Sequence, residues 1–330
     1  MCADRARWRA LLILIAALVL AVGVAACGDD DDDETGGGET AAAGGKLIQS
    51  NPENGNVTLT VGSKNFTEQI VLGEIYAQAL EAAGYRVEKK LNLGSELIAL
   101  KALNQGEITG YPEYVSTALT SFFGVQPGQV PGDPQQGADQ AKAEFERDGL
   151  TSFAPTPFAS ANAVGTLKET ADRLGLQKVS DLEGESQNLT LYGSPECRQR
   201  VDCLVGLEGP YGLEFKRFNP VDIELRYTVL DKGQADLSIL FTTDAQLAAE
   251  ADKYVILEDD KGVFPAGNVV FVTDQETVQQ AGPDYQRTIE LVQEGLTEEV
   301  MQELDARVDI DRQTAEQVAS DYLKESGYIE

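Results

Sequence analysis

The sequence predicts an α/β protein of two lobes, each a mixed, mainly parallel sheet flanked by helices. Strand-like runs alternate with helix-like stretches, the alternation occurs twice, and a last strand returns the chain to the first series before three closing helices. In the first series Val57–Val61 is a β-rich run ending at Gly62. Asn65 precedes Glu68 by three, the spacing of an N-cap pair. A helical apolar stripe then passes through Ile70, Val71, Ile75, Ala79 and Leu80 to a stop at Gly84. Tyr85–Leu93 reads as a strand, Ser95–Asn104 as a helix stopped by Gly106, and Ile108–Tyr111 as a third strand. In the second series Ala161–Thr166, Asn188–Tyr192 and Leu213–Phe218 read as strands. A helix from Val221 to Lys232 ends at Gly233, and the strand Ala235–Phe241 leads into Thr242-Thr243-Asp244. Asn268–Thr273 is the returning strand, and helices are expected near Thr277–Leu296, Glu298–Val308 and Thr314–Glu325. The first lobe is assigned to residues 57–157 plus 265–330 and the second to 158–264. Two connections between lobes suit hinge closure around a ligand, which in open parallel sheets sits at the carboxyl ends of strands.

The N-terminus reads as a processing signal. Arg5, Arg7 and Arg9 form a positive region, and the apolar run Ala10–Val22 is short for a membrane span. It runs into Val24-Ala25-Ala26-Cys27, which resembles the lipobox of bacterial lipoproteins. In that class the signal, here residues 1–26, is cut before the cysteine, and Cys27 carries the lipid. The alternative is an ordinary signal peptide with an incidental Cys27. Residues 27–56 hold the acidic run Asp29–Glu34 and then glycine and alanine, too few apolar groups to repay the entropy of ordering. They read as a disordered tether, with a reach of roughly 30 Å.

The 26 basic and 55 acidic residues give a net charge of −29. Removing residues 1–26 takes away three arginines and one aspartate, leaving 23 basic and 54 acidic residues and a charge of −31. Such a chain is a poor partner for nucleic acid or for anionic lipid through charge alone. With Cys2 in the signal and Cys27 lipidated, Cys197 and Cys203 remain; in an exported chain they are expected to form a disulfide. The chain has no histidine, which disfavours zinc and removes the usual general base. No nucleophile elbow or phosphate loop is present, so an enzyme is not expected, and neither is a cofactor.

Three strand ends gather polar and aromatic residues: Gly62-Ser-Lys-Asn-Phe-Thr-Glu-Gln69, Tyr111-Pro-Glu-Tyr114 with Thr117 behind it, and Thr242-Thr243-Asp244. Each is also an ordinary cap or turn. Together with Leu91-Asn-Leu-Gly94, Gly106-Glu-Ile108, Pro195-Glu-Cys197, Asp202-Cys-Leu204, Tyr211-Gly212, Leu257-Glu-Asp-Asp-Lys261 and Phe264-Pro265, they resemble the binding proteins of osmoprotectant importers. The resemblance covers nearly all of Val57–Glu330. It implies the type II periplasmic-binding-protein fold and capture of glycine betaine, choline, carnitine or a similar solute. It further implies a monomer anchored at Cys27 on the outer face of the cytoplasmic membrane, delivering to an ABC permease with its cytoplasmic ATPase.

A trimethylammonium group has no N–H to donate, so it is held by packing and by aromatic faces. The one tryptophan, Trp8, lies in the signal, so a cage must be built from tyrosine or phenylalanine. By resemblance Tyr114 is a cage residue and Tyr227 a second aromatic position, the latter also compatible with a core helix face. Tyr111 is a further candidate whose side chain has the alternative of the lobe core. Arg200 would pair a betaine carboxylate, while Lys64, Asn65, Thr67, Gln69, Thr117 and Thr243 would supply polar contacts. Two positions depart from the pattern. Asn162 stands where many relatives have a cage tyrosine, and Ala266-Gly267-Asn268 follows Phe264-Pro265 where an aromatic often comes. The alternatives are a binder of another small polar solute, such as an amino acid, and a lipid-anchored sensor module.

Overall fold

The computed structural model describes residues 46–330. The expected signal, Cys27 and the acidic run lie outside them. Two sheets organise the chain. The first has the order β2-β1-β3-β11-β4, from Arg86–Lys90 (β2), Thr58–Gly62 (β1), Gly110–Tyr114 (β3), Gly267–Asp274 (β11) and Leu150–Ser152 (β4), with β5 (Ala159–Ser160) also on β11. The second has the order β10-β6-β9-β7-β8, from Tyr254–Ile256 (β10), Asn162–Leu167 (β6), Leu237–Phe241 (β9), Thr190–Gly193 (β7) and Arg217–Pro220 (β8). Pairing is parallel among β1, β2 and β3 and among β7, β8 and β9. The strands beside the crossings, β11 in one sheet and β6 with β10 in the other, run antiparallel to their neighbours. β5 still pairs β11, so the chain leaves the first sheet at Ala161 and not at Phe158 as the sequence suggested.

Helix α1 (Thr67–Ala82) is the spine of the first lobe. Val71, Leu72, Ile75, Tyr76, Ala79 and Leu80 are fully buried between the sheet and the C-terminal helices. Each large side chain so placed contributes about 1.5–3 kcal/mol. The N-cap is Phe66, in extended conformation with no side-chain cap, so the expected Asn65 cap is not formed. Gly84 ends the turn after α1 at φ +100°, where a Cβ would stand 2.5 Å from the Asn51 carbonyl. The returning strand delivers the chain to α2 (Gln275–Ala281) and α3 (Pro283–Gln293), which divide the expected Thr277–Leu296 stretch at Gly282. α4 (Glu298–Asp309) and α5 (Ala315–Glu325) follow, capped by Thr297 and Thr314.

The expected tether is too long at its C-terminal end. Asn51 caps a short turn of 3-10 helix at Pro52–Asn56, and Asn54 is buried with its amide on the Ala83 carbonyl at 2.8 Å. Ile48 N–H donates to the Tyr328 carbonyl at 2.8 Å. These bonds, one from a side-chain amide and one from a backbone N–H, tie residues 48–56 to the first lobe. An apolar-poor segment can order when neighbouring backbone groups supply its hydrogen bonds, which composition does not reveal.

Candidate functional site

A cleft opens between the two sheets, with about 830 Å³ of space including its mouth. Its first-lobe wall comes from the loop after β1 (Lys64, Asn65, Phe66), from Ser95 and Glu96, and from the end of β3 (Tyr114, Ser116, Thr117). The opposite wall comes from Asn162, the Ser194–Cys203 loop, Ile223, Arg226 and the end of β9 at Phe241. Phe264 and Pro265 of the second crossing also line it. Strand ends thus carry the site, as the topology requires.

Three rings form a row across it. Phe66 lies near-parallel to Tyr114 at 6.2 Å and 20°, and tilted against Phe241 at 5.1 Å and 49°. Protein cations stand at both ends of the row: Lys64 Nζ is 4.5 Å from the Tyr114 ring centre, and the Arg226 guanidinium carbon 4.0 Å from that of Phe241. Lys64 is paired with Glu113, both buried. Arg200 donates Nε and Nη2 to the two oxygens of Asp202 at 2.8 and 2.5 Å, and Nη2 also approaches Thr117 Oγ1 at 3.4 Å. Its Nη1 lies 3.6 Å from Glu96. Burial disfavours the Arg200 charge, but the Asp202 and Glu96 carboxylates hold its pKa above the ordinary value. The Cys197–Cys203 disulfide, with Cα atoms 5.2 Å apart, closes the loop that carries Arg200 and Asp202.

Behind the ring row lies an acidic layer. Tyr114 donates its hydroxyl to Glu68 Oε1. Burial raises the pKa of Glu68, a hydrogen bond from Tyr114 opposes the rise, and Asp244 adds to it. Asp305 on α4 is raised well above its ordinary value, by burial first and then by the Glu68 charge. Thr67 donates to Asp309 at 2.6 Å, and Gln246 of the second lobe reaches the same carboxylate at 3.4 Å.

Of the residues read from the sequence, Lys64, Asn65, Tyr114, Thr117, Asn162 and Arg200 line the cleft. Five others are brought elsewhere. Tyr111 is fully buried beneath the sheet and donates to Glu113 Oε2 at 3.1 Å; period-two alternation puts it and Tyr114 in different clusters. Tyr227 sits in the second-lobe core, its hydroxyl on Asp244 Oδ2 at 2.9 Å and its ring edge-on to Tyr254 at 4.8 Å. Gln69 is fully buried and accepts from the Lys64 N–H at 3.4 Å; Thr67 caps toward Asp309. Thr243 bonds Ser160, which does line the cleft. Asn162 faces the cleft while its amide donates to the Asp202 carbonyl at 3.0 Å. The departure after Pro265 also has a physical reason: a Cβ on Gly267 would lie 2.6 Å from the Ser116 nitrogen, and Asn268 clips the Thr156 and Phe158 carbonyls.

The sequence reading missed Phe66, Phe241, Phe264 and Arg226. Phe66 lay inside the first quoted motif and Phe241 at a strand end, so strand-end position was the available signal for both. For Arg226, inside a helical stretch, there was none.

Two α/β lobes joined twice, with a polar and aromatic cleft at their strand ends, define a solute-binding protein of the hinged type. Residues 57–325 match the substrate binding domain of the ABC-type glycine betaine transport system, and the chain belongs to that family. The glycine-betaine-binding protein of Pseudomonas aeruginosa is 35% identical over 81% of this chain and 88% of its own. The carnitine transport binding protein OpuCC of Listeria monocytogenes is 27% identical over 83% and 88%. Among solved structures, a glycine betaine/carnitine/choline ABC transporter protein superposes with a TM-score of 0.64 at 26% identity, covering 82% of this chain and all of that one. The chain is therefore a transport component of type II periplasmic-binding-protein fold. Among the described residues no helix is long and apolar enough to cross a membrane.

Proposed function

We propose that this protein captures a small quaternary-ammonium solute, such as glycine betaine, choline or carnitine, and hands it to the permease of an ABC importer driven by a cytoplasmic ATPase. The observation that carries this reading is the row of Tyr114, Phe66 and Phe241 along the cleft. Each ring contributes roughly 0.5–2 kcal/mol to a desolvated cation. Three such contacts with a paired carboxylate support a micromolar complex, about −8 kcal/mol. Charge in the cleft agrees. The lining holds three cations, Lys64, Arg200 and Arg226, and three carboxylates, Glu96, Glu196 and Asp202; Glu113 and Asp244 lie outside the lining and pair Lys64 and Arg226, so with them the acids outnumber the bases and the site favours a ligand with a cationic end. The relatives named for glycine betaine and carnitine support the same class. A lipid at Cys27 would hold the protein at the outer membrane face, with the acidic segment as its tether, and the protein acts as a monomer.

Calorimetry against glycine betaine, choline, carnitine and a panel of amino acids tests the reading. Micromolar binding of at least one quaternary-ammonium compound is expected. Binding confined to amino acids, or to none of the panel, overturns it.

A further inference from the structure

The acidic layer behind the ring row lies outside the cleft lining, at a place where the two lobes meet. Glu68 on α1 and Asp305 on α4 are each only 4% exposed. Glu68 Oε1 accepts from the Tyr114 hydroxyl. Glu68 Oε2 and Asp305 Oδ1 are shielded from water and, among the described residues, accept no hydrogen bond. The two carboxyls nevertheless stand within hydrogen-bonding reach of each other. Buried acceptors are costly to leave unmade, and two adjacent buried carboxyls do not both ionise cheaply. One proton held between them relieves both costs. The second lobe covers this pair. Thr243 and Asp244, after β9, face Glu68, and the short helix Ala245–Ala249 packs on α4, where Gln246 Nε2 donates to Asp309 Oδ2 at 3.4 Å. The charges acting on the pair are negative: Asp309 from α4 and, across the interface, Asp244, which is itself paired to Arg226. Lys64 is spent on Glu113, and Arg307 of α4 turns to Glu303 and Glu325. From α5 the buried Val318, Ala319 and Leu323 bring no charge, and Tyr322 donates its hydroxyl to the Val292 carbonyl.

We propose that Glu68 and Asp305 form a proton-operated latch: a proton shared between them lets the second lobe close on the solute, and its loss opens the cleft. The inference rests on the solute-capture reading and adds its regulation. With the proton in place one carboxyl donates to the other, and a single negative charge faces Asp244 across the interface. Without it two charges face Asp244 and Asp309 where water does not reach, and parting the lobes hydrates them. Burial raises the pKa of both groups, so the closed form holds the proton more tightly than an open form in which the pair is wetted. Closure therefore takes up a proton. Acid pH favours closure and capture, and raising the pH through the closed-state values weakens both. The carboxylates of the cleft lining act in the opposite sense, because neutralising Glu96, Glu196 or Asp202 in acid weakens the attraction for a cationic solute. The direction of the pH dependence thus separates the latch from simple charge attraction.

The test is calorimetry of glycine betaine, carnitine and choline, whose charges do not change between about pH 5 and about pH 8, on wild type, Asp305→Asn and Glu68→Gln across that range. Buffers of different ionisation enthalpy report the protons taken up on binding. Wild type is expected to bind its solute about fivefold or more tighter at the acid end and to take up protons as it binds. Asp305→Asn carries a permanent N–H donor in place of the proton and is expected to keep the acid-end affinity throughout, with no uptake. Glu68→Gln keeps an acceptor for Tyr114 and is expected to flatten the profile in the same way; it stands in should Asp305→Asn fail to fold. A wild-type affinity that is flat or rises with pH, or a pH dependence that survives in either folded variant, overturns the latch and leaves solute capture intact. A wild type that binds none of the three solutes removes the quaternary-ammonium reading, and small-angle scattering of the unliganded protein then decides the latch. The latch requires wild type to be more compact at about pH 5 than at about pH 8 and Asp305→Asn to show no such difference; equal dimensions of wild type at the two pH values overturn it.

Discussion

Replacing Phe66 by leucine asks whether the ring row binds charge or merely fills space. Phe66 is the middle ring, 6.2 Å from Tyr114 and 5.1 Å from Phe241, and it is only 9% exposed. Alanine there would open a cavity and cost about 3–5 kcal/mol of stability, confusing binding with folding. Leucine keeps much of the apolar body, at on the order of 1 kcal/mol, and removes the quadrupole. The ring is worth roughly 0.5–2 kcal/mol to a trimethylammonium group, a weakening of about two- to thirtyfold. Calorimetry should use choline beside 3,3-dimethylbutanol, which has the same shape and no charge. Phe66→Leu is expected to weaken choline by more than it weakens the neutral analogue. Equal losses would refute electrostatic recognition by the row and leave only packing.

Other consequences can be measured separately. Asn162→Tyr is expected to tighten glycine betaine by up to about thirtyfold through an added ring, despite losing the bond to the Asp202 carbonyl; unchanged affinity places the cage elsewhere. Tyr114→Phe keeps the ring but strands the Glu68 carboxyl, so denaturant unfolding should show a loss of about 1–3 kcal/mol with solute affinity nearly kept, whereas Tyr114→Ala loses both. Replacing Cys197 and Cys203 together by serine opens the short loop and should lower stability by about 2 kcal/mol; an unchanged denaturation midpoint excludes that contribution. Because burial raises the pKa of Glu68 and Asp305, the folded protein holds protons there more tightly than the unfolded chain. That contribution is present at acid pH and is lost as pH rises through the folded-state values. Asp305→Asn should therefore be more stable than wild type at neutral pH, with the gap closing toward about pH 4; a gap independent of pH is the contrary result.

The fold was legible because its signals are local. Gly84, Gly106 and Gly233 stop helices at positive φ as their positions in the sequence suggest, and the apolar period of α1 is that of a helix buried on most sides. The third strand was displaced toward its C-terminal end: Ile108–Tyr111 was expected and Gly110–Tyr114 forms. Proline at 112 argues against a strand by propensity. The ladder to β11 pairs Pro112 with Phe271, and both lie in a sheet whose burial outweighs that preference. Residues 46–56 were misread for a related reason, since their hydrogen-bond partners at Ala83 and Tyr328 are distant in sequence.

The site was legible only in part, because its residues are defined by pairs that the sequence does not print. Arg200 reads as a free cation awaiting a carboxylate until Asp202, two residues on, is seen to fill its fork. Tyr227 reads as an aromatic wall until Asp244 is seen to draw its hydroxyl into the second-lobe core. The same Asp244 holds Arg226, and by taking one nitrogen it leaves the other unpaired. One carboxylate thus holds two side chains, keeping a tyrosine in the second-lobe core and pairing an arginine of the cleft lining. Residue type and spacing report which groups are available for chemistry. Which of them remain unspent after the protein has satisfied its own charges is set by contacts between segments.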